Sequence, residues 1–265
     1  MVASPWFLTS ETATGTDPAV RVHCFPHAGG NPRTFLGWQP ALEHDARILA
    51  ACPPGRGHRF REPAAASLAE LADGAARAIS LDAAPDRPFL LFGHSFGAAL
   101  AFEVARRLEG VPGLAGLVAS GCSAPSLLPT ARVVRTAELE GRAFTDAVQF
   151  FGGLPPEVVE DEAVQELLLP PLRADFRMVA GYRYRPGTPL GVPVTLLNGR
   201  RDPHVSPAAL DPWARECASE PERLWADGGH FYFEDDPRSV TDVLGRLARA
   251  ATGAARRSDE YVELI

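Results

Sequence analysis

The sequence predicts an α/β domain built on a mainly parallel sheet. Short apolar runs alternate along the chain with amphipathic, helix-like segments. Some of those runs are apolar throughout, as strands buried on both faces of a parallel sheet are. A glycine-bracketed serine turn joins one such run to a helical segment, which places a sharp strand-to-helix corner in the middle of the chain.

The elements follow in order. Val20 to Phe25 reads as the first clear strand and runs into the turn-rich stretch Pro26-His27-Ala28-Gly29-Gly30. Arg47 to Ala51 reads as a second strand, followed by a loop over Pro53 to Gly57. Ser67 to Ile79 has helical spacing, with Ser67 and Glu70 in a capping box and Leu68, Leu71, Ala75 and Ile79 on one face. Phe89 to Phe92 is a short buried strand, Gly93 to Gly97 a tight turn, and Ala98 to Leu108 a helix. Leu114 to Ser120, Val194 to Asn198 and Arg223 to Ala226 complete the strands. Pro237 to Ala250 is the last helix, with Asp236 as N-cap and Pro237 at its first position. A loose tail is expected from Thr252 onward.

Between Ala124 and Pro193 the alternation stops. Thr145 to Phe151, Glu162 to Leu169 and Pro171 to Tyr182 have helical patterns, and no strand is evident. Helices inserted between two strands, at about 125–190 of a single domain spanning 1–265, predict a lid over the C-terminal edge of the sheet. An ordinary helical layer on the sheet is the other reading. Glu157, Glu160, Asp161 and Glu162 form an acidic run expected on a solvated helix face.

Composition bounds the function. The 265 residues, 46% hydrophobic, can bury a substantial core. A net charge of -7 argues against nucleic acid as the main partner, because phosphate binding needs surplus Lys and Arg. No apolar run approaches the ~20 residues needed to cross a bilayer. The first residues lack the basic and apolar regions of a signal peptide, so a cytoplasmic location is expected. Cys24, Cys52, Cys122 and Cys217 are widely spaced and suggest buried thiols rather than a zinc or redox site. No cluster suggests a metal, and no glycine-rich phosphate loop is present.

The chemistry centres on Gly93-His94-Ser95-Phe96-Gly97. Strand, G-x-S-x-G and helix in succession are the context of a nucleophile elbow. Side chains at Gly93 and Gly97 would meet neighbouring backbone, and the turn lifts the Ser95 hydroxyl out of the sheet. A serine hydroxyl needs a base held by a carboxylate, and in this architecture the order is Ser, then Asp or Glu, then His. Only His204 and His230 follow the nucleophile. His230 lies in the glycine-rich loop Asp227 to Phe231, between a strand and the last helix. His204 is too close in sequence to the acid candidate to be its natural partner. That acid is Asp202, which follows the strand ending at Asn198; Asp211 and Asp227 compete with it. For the oxyanion, the backbone N–H of Phe96 and one N–H after the first strand, at Ala28, are expected. His27, Phe150 and Phe176 are candidate substrate contacts, although aromatics at helical spacing equally serve a core. His94 is expected to pack rather than react. Arg173, Arg177, Arg183 and Arg185 could meet an acidic partner.

With these residues in place the chain resembles a type II thioesterase of polyketide or nonribosomal peptide synthesis, a family of the α/β-hydrolase fold. The resemblance rests on five stretches in order: Cys24 to Gly30, Pro54-Gly55-Arg56-Gly57, Gly93 to Gly97, Leu172-Arg173-Ala174-Asp175-Phe176, and Gly228-Gly229-His230-Phe231. Two departures stand out. Phe96 occupies a position where methionine is common, and Cys52-Pro53-Pro54 lacks the usual aromatic. The resemblance implies hydrolysis of acyl thioesters carried on the phosphopantetheine arm of acyl or peptidyl carrier proteins, with no cofactor of the enzyme's own. A monomer is the simplest expectation. An acidic chain meeting an acidic carrier would need arginines clustered at the mouth. A general esterase, an acyltransferase and a non-catalytic scaffold are the competing readings.

Overall fold

The computed structural model describes residues 5–10, 18–152, 154 and 161–262. Glu157 and Glu160 of the acidic run lie outside them. The elements, in chain order, are β1 (Phe7–Leu8), β2 (Val20–Phe25), α1 (Arg33–Leu36), β3 (Ala46–Ala51), α2 (Leu68–Ser80), β4 (Phe89–His94), α3 (Phe96–Arg107) and β5 (Leu114–Ser120). The insertion holds α4 (Ala131–Glu138), α5 (Gly141–Gln149) and α6 (Glu162–Ala180). β6 (Val194–Gly199), β7 (Glu222–Ala226), α7 (Tyr232–Asp235) and α8 (Arg238–Val262) follow.

The seven strands form one sheet in the order β1-β3-β2-β4-β5-β6-β7. Only the β1–β3 pair is antiparallel. Alternation along each strand divides the core. Val20, Val22 and Cys24 of β2, with Leu90 and Phe92 of β4, face one side, where Phe35, Trp38 and the Val240, Leu244 and Ala248 stripe of α8 cover them. Phe25, Phe89 and Leu91 face the other, under α2 and α3. Small residues let α3 lie close on the sheet: Ala98, Ala101 and Ala105 are fully buried beside Leu100 and Val104. At such a position Leu100→Ala costs about 2–5 kcal/mol.

Connections leave β2 and β4 toward opposite edges, since β3 lies on one side of β2 and β5 on the far side of β4. Adjacent strands whose connections diverge leave a crevice at their carboxyl ends, where ligands bind in open α/β sheets. Both the Ala28 turn and the serine elbow open onto that crevice.

Four differences from the sequence reading have physical causes. β1 is a two-residue edge strand, too short to show alternation. α4 is only eight residues long, with Val133 and Val134 as its large apolar residues, too short a run to stand out. The two expected segments around Pro170 and Pro171 are one helix, α6. Proline removes ladder hydrogen bonds there, but Leu169, Leu172 and Phe176 pack onto Phe144 and Val148 and hold the helix together across it. The expected tail is also helical, because α8 continues to Val262 through alanines and arginines with no proline to stop it. As expected, Ser67 caps α2 by accepting from the Glu70 N–H, while the Glu70 carboxylate reaches back to the Ala66 N–H. The cysteines are free and buried. No described helix is long and apolar enough to cross a membrane.

Two histidines are enclosed in the core as neutral rings. His23 sits edge-on to Phe7 and Phe89 at 4.6 and 5.6 Å, and burial, helped by Arg21, pushes its pKa down to about 3. His94 is held well below the usual range by burial, then by His230 and His27. In the unfolded chain both titrate near 6.5. The stability they contribute is therefore complete above that pH and is lost as pH falls toward the folded-state values. The slope is about 1.4 kcal/mol per pH unit for each ring. Thermal melting should fall between pH 7.5 and pH 5, and His23→Phe should flatten the dependence. An equal melting point at the two pH values would contradict this.

Candidate active site

At the end of β4 the chain turns through Ser95, whose φ of 55° is the one positive value outside glycine among the described residues. Such a conformation costs about 1–3 kcal/mol and persists only where the surroundings enforce it. They do so here. A Cβ on Gly93 would lie 2.0 Å from the Gly97 carbonyl oxygen, and one on Gly97 would lie 2.0 Å from that of Phe25. The Ser95 N–H donates to the Ser120 carbonyl at 2.8 Å, and the Ser95 carbonyl accepts from Ala98 as α3 begins.

Asp202 and His230 arrive on neighbouring loops, after β6 and β7. The loops are joined where the Arg200 and Arg201 N–H groups donate to the Ala226 and Gly228 carbonyls, each at 2.9 Å. His230 Nδ1 lies 2.7 Å from Asp202 Oδ2, with both side chains almost wholly buried. The carboxylate accepts from Nδ1–H, which leaves Nε2 with its lone pair. Asp202 Oδ1 accepts the His204 N–H at 2.8 Å. Asp211, one of the two competing acids, instead pairs with Arg223.

Ser95 and His230 line one cleft with Ala28, Phe96, Ala99, Gly121 to Ser123, His204 and Val205. The insertion adds Leu128, Thr130, Val133, Phe151, Phe176 and Val179, so it forms the outer wall. The free volume is about 90 Å³. Neither the Ala28 N–H nor the Phe96 N–H has an acceptor within the protein among the described residues. Two free backbone donors beside a serine hydroxyl, with the Phe96 donor at a helix start, suit an oxyanion.

The candidate substrate contacts divide. Phe176 lines the cleft. Phe150 does not: it is 52% exposed at the rim, beneath the Arg132 guanidinium at 4.1 Å. Phe151, just past the end of α5, lines the cleft in its place, and both rings border a second cavity with His204 and His230. His27 also lies outside the cleft. Its ring packs edge-on against Phe231 at 4.8 Å, and its carbonyl closes the turn by accepting from Gly30. His94 packs, as expected, with Nδ1 on the Ser120 hydroxyl, which in turn meets the Tyr232 hydroxyl at 2.6 Å.

His204 has a place that sequence order did not reveal. Its ring stacks on Phe151 at 4.6 Å and meets His230 edge-on at 5.0 Å. Burial pushes the pKa values of His204 and His27 down to about 4 each, with the nearby His230 adding to the effect. Around His230, then, the imidazoles are neutral at physiological pH.

A buried ion pair was also missed. Asp175 of α6 is fully buried, and its Oδ1 lies 2.5 Å from Arg56 Nη2. No spacing rule joins residues 119 apart. The available signal was a carboxylate on the apolar face that Leu172, Phe176 and Val179 define.

The expected arginine cluster is real but lies elsewhere. Arg177, Arg183 and Arg185 join Arg106 and Arg107 around a groove of about 560 Å³ that contains none of the residues above. It sits at the far end of α3, about 16 Å along the helix from Ser95. Arg173 is not part of it and lies instead over the Phe144 ring at 4.5 Å.

Known proteins resemble this chain over most of its length. Residues 20–250 match the thioesterase domain family model. The thioesterase PikA5 of Streptomyces venezuelae is 38% identical over 239 residues, covering 89% of this chain and 83% of that protein. The AMB antimetabolite synthetase AmbE of Pseudomonas aeruginosa is also 38% identical, but this chain spans only 11% of its length. Among solved structures, the type II thioesterase BorB of the borrelidin cluster has a TM-score of 0.81 at 30% identity, over 94% of this chain and 99% of BorB. YbtT, the type II thioesterase of the yersiniabactin pathway, gives 0.81 at 32%, over 93% and 99%. The chain belongs to the thioesterase family, within the α/β-hydrolase fold.

Proposed function

We propose that this protein is a serine thioesterase that removes acyl groups from the phosphopantetheine arms of acyl or peptidyl carrier domains in polyketide or nonribosomal peptide synthesis. The observation that carries the reading is His230, paired with Asp202, lining one apolar, insertion-covered cleft with Ser95. The type II thioesterases among its structural neighbours support the pathway assignment.

Ser95 Oγ attacks the thioester carbonyl carbon while His230 Nε2 takes its proton. The carbonyl oxygen gains charge and is held by the N–H groups of Ala28 and Phe96. The carbon–sulfur bond breaks, His230 protonates the departing thiol, and the acyl group remains on Ser95. Water then attacks that ester with His230 again as base, and the carboxylic acid leaves. Asp202 holds the tautomer and balances the imidazolium charge. The phosphopantetheine belongs to the substrate, and the enzyme contributes no cofactor. We place the protein in the cytoplasm, in line with its buried free thiols, and take the monomer as its working form.

Mass analysis of acyl-loaded carriers tests this reading. Wild type should strip the acyl mass, and Ser95→Ala should lose on the order of 10⁶ in rate. Activity on small thiol esters alone would favour a general esterase, and transfer to an added alcohol would favour an acyltransferase. The cleft volume adds a second expectation. The free space of about 90 Å³ beside Ser95 is small for a long chain, so acetyl and propionyl groups should be released faster than octanoyl. A flat acyl profile would refute the size argument. Asp202→Asn should keep the fold and lose about 10⁴ in kcat, because the imidazole then takes the wrong tautomer; near-normal turnover would remove Asp202 from the mechanism.

A further inference from the structure

We propose that Asp175 is a positioning residue: it aims the Ala28 N–H, so that the oxyanion hole is complete only while α6 is seated on the β2 turn. The proposal rests on Ser95 and Ala28 acting as described above.

Four observations carry it. Asp175 Oδ2 accepts the Gly29 N–H at 2.8 Å. That N–H belongs to the peptide unit that begins at the Ala28 carbonyl, so the bond fixes the plane of the peptide next to the proposed donor. Gly29 has φ +69°, and a Cβ there would lie 2.8 Å from Leu172 Cδ1. One turn of α6 thus presses on the turn with Leu172 and grips it with Asp175.

The second oxygen of Asp175 is held by Arg56, from the loop after β3, itself only 9% exposed. Arg56 Nε and Nη1 have no partner among the described residues. A fully desolvated pair with donors left over is a poor device for stability. It is a good device for holding a carboxylate at one point. Burial pushes the Asp175 carboxyl upward, and Arg56 and the Gly29 N–H oppose that rise.

Finally, Phe176 is the next residue, and it lines the cleft. The segment that walls the acyl site is therefore the segment that sets the donor. A shift of α6 that opened the cleft would release the Gly29 N–H in the same movement.

The test compares wild type, Asp175→Asn and Asp175→Glu with 4-nitrophenyl acetate and with an acyl-carrier thioester. Asn loses the charge and one of the two acceptors. Glu keeps the charge facing Arg56 and so preserves folding, but moves the carboxylate outward by about 1.5 Å. For either folded variant, kcat should fall about 10- to 100-fold, below or near the loss of one oxyanion donor, with KM within about threefold. Affinity for a trifluoromethyl ketone, whose adduct puts an oxyanion in the hole, should fall by the same factor. A thioether analogue without a carbonyl should bind as before. A purely structural role would lower the melting temperature and leave kcat per folded molecule and ketone affinity within about threefold of wild type, and that result overturns the proposal. Ester hydrolysis without carrier activity in the wild type would remove the carrier assignment and leave the Asp175 comparison intact.

Discussion

The contact on which this structure depends is between two backbones. Gly97 at the start of α3 lies against the Phe25 carbonyl at the end of β2, with no space for a methyl group between them. That contact sets the strained turn at Ser95 and ties it to the turn carrying Ala28. Ser95 and the Ala28 turn are thus held by a single steric constraint that no side chain can adjust. Close packing makes such a constraint stiff, and the parallel β2–β4 register beneath it carries the load.

Electrostatics complete the arrangement. His23, His27, His94 and His204 are all pushed toward the neutral form by burial. Asp202 is the carboxylate in contact with the His230 ring, accepting from Nδ1 and from the His204 N–H. In the mechanism proposed above, it balances the charge that His230 takes up with a proton.

Much of the framework was legible because local physics writes it plainly. Val20–Phe25 and Leu114–Ser120 have the limits that their apolar runs suggest, and the serine elbow follows from glycines whose side chains would collide. That Asp202 and His230 meet was legible from chain order and from loops that end strands. Long-range packing was less legible. Nothing local says that Phe151 rather than Phe150 turns inward, that Pro170 and Pro171 stay within a helix, or that Arg56 meets Asp175. Each depends on which surface the insertion chooses to cover, and Phe144, Leu172 and Phe176 decide that together.

The Phe151–His204 stack has a mechanical consequence. It joins the insertion to the loop that holds Asp202, at 4.6 Å and an angle of 20°. Aromatic pairs of this kind are worth about 0.5–1.5 kcal/mol beyond their buried area. The two attachments of the insertion differ in kind: rings that lie nearly parallel can slide past one another without losing contact, whereas the Asp175–Gly29 hydrogen bond at the β2 turn is directional and cannot.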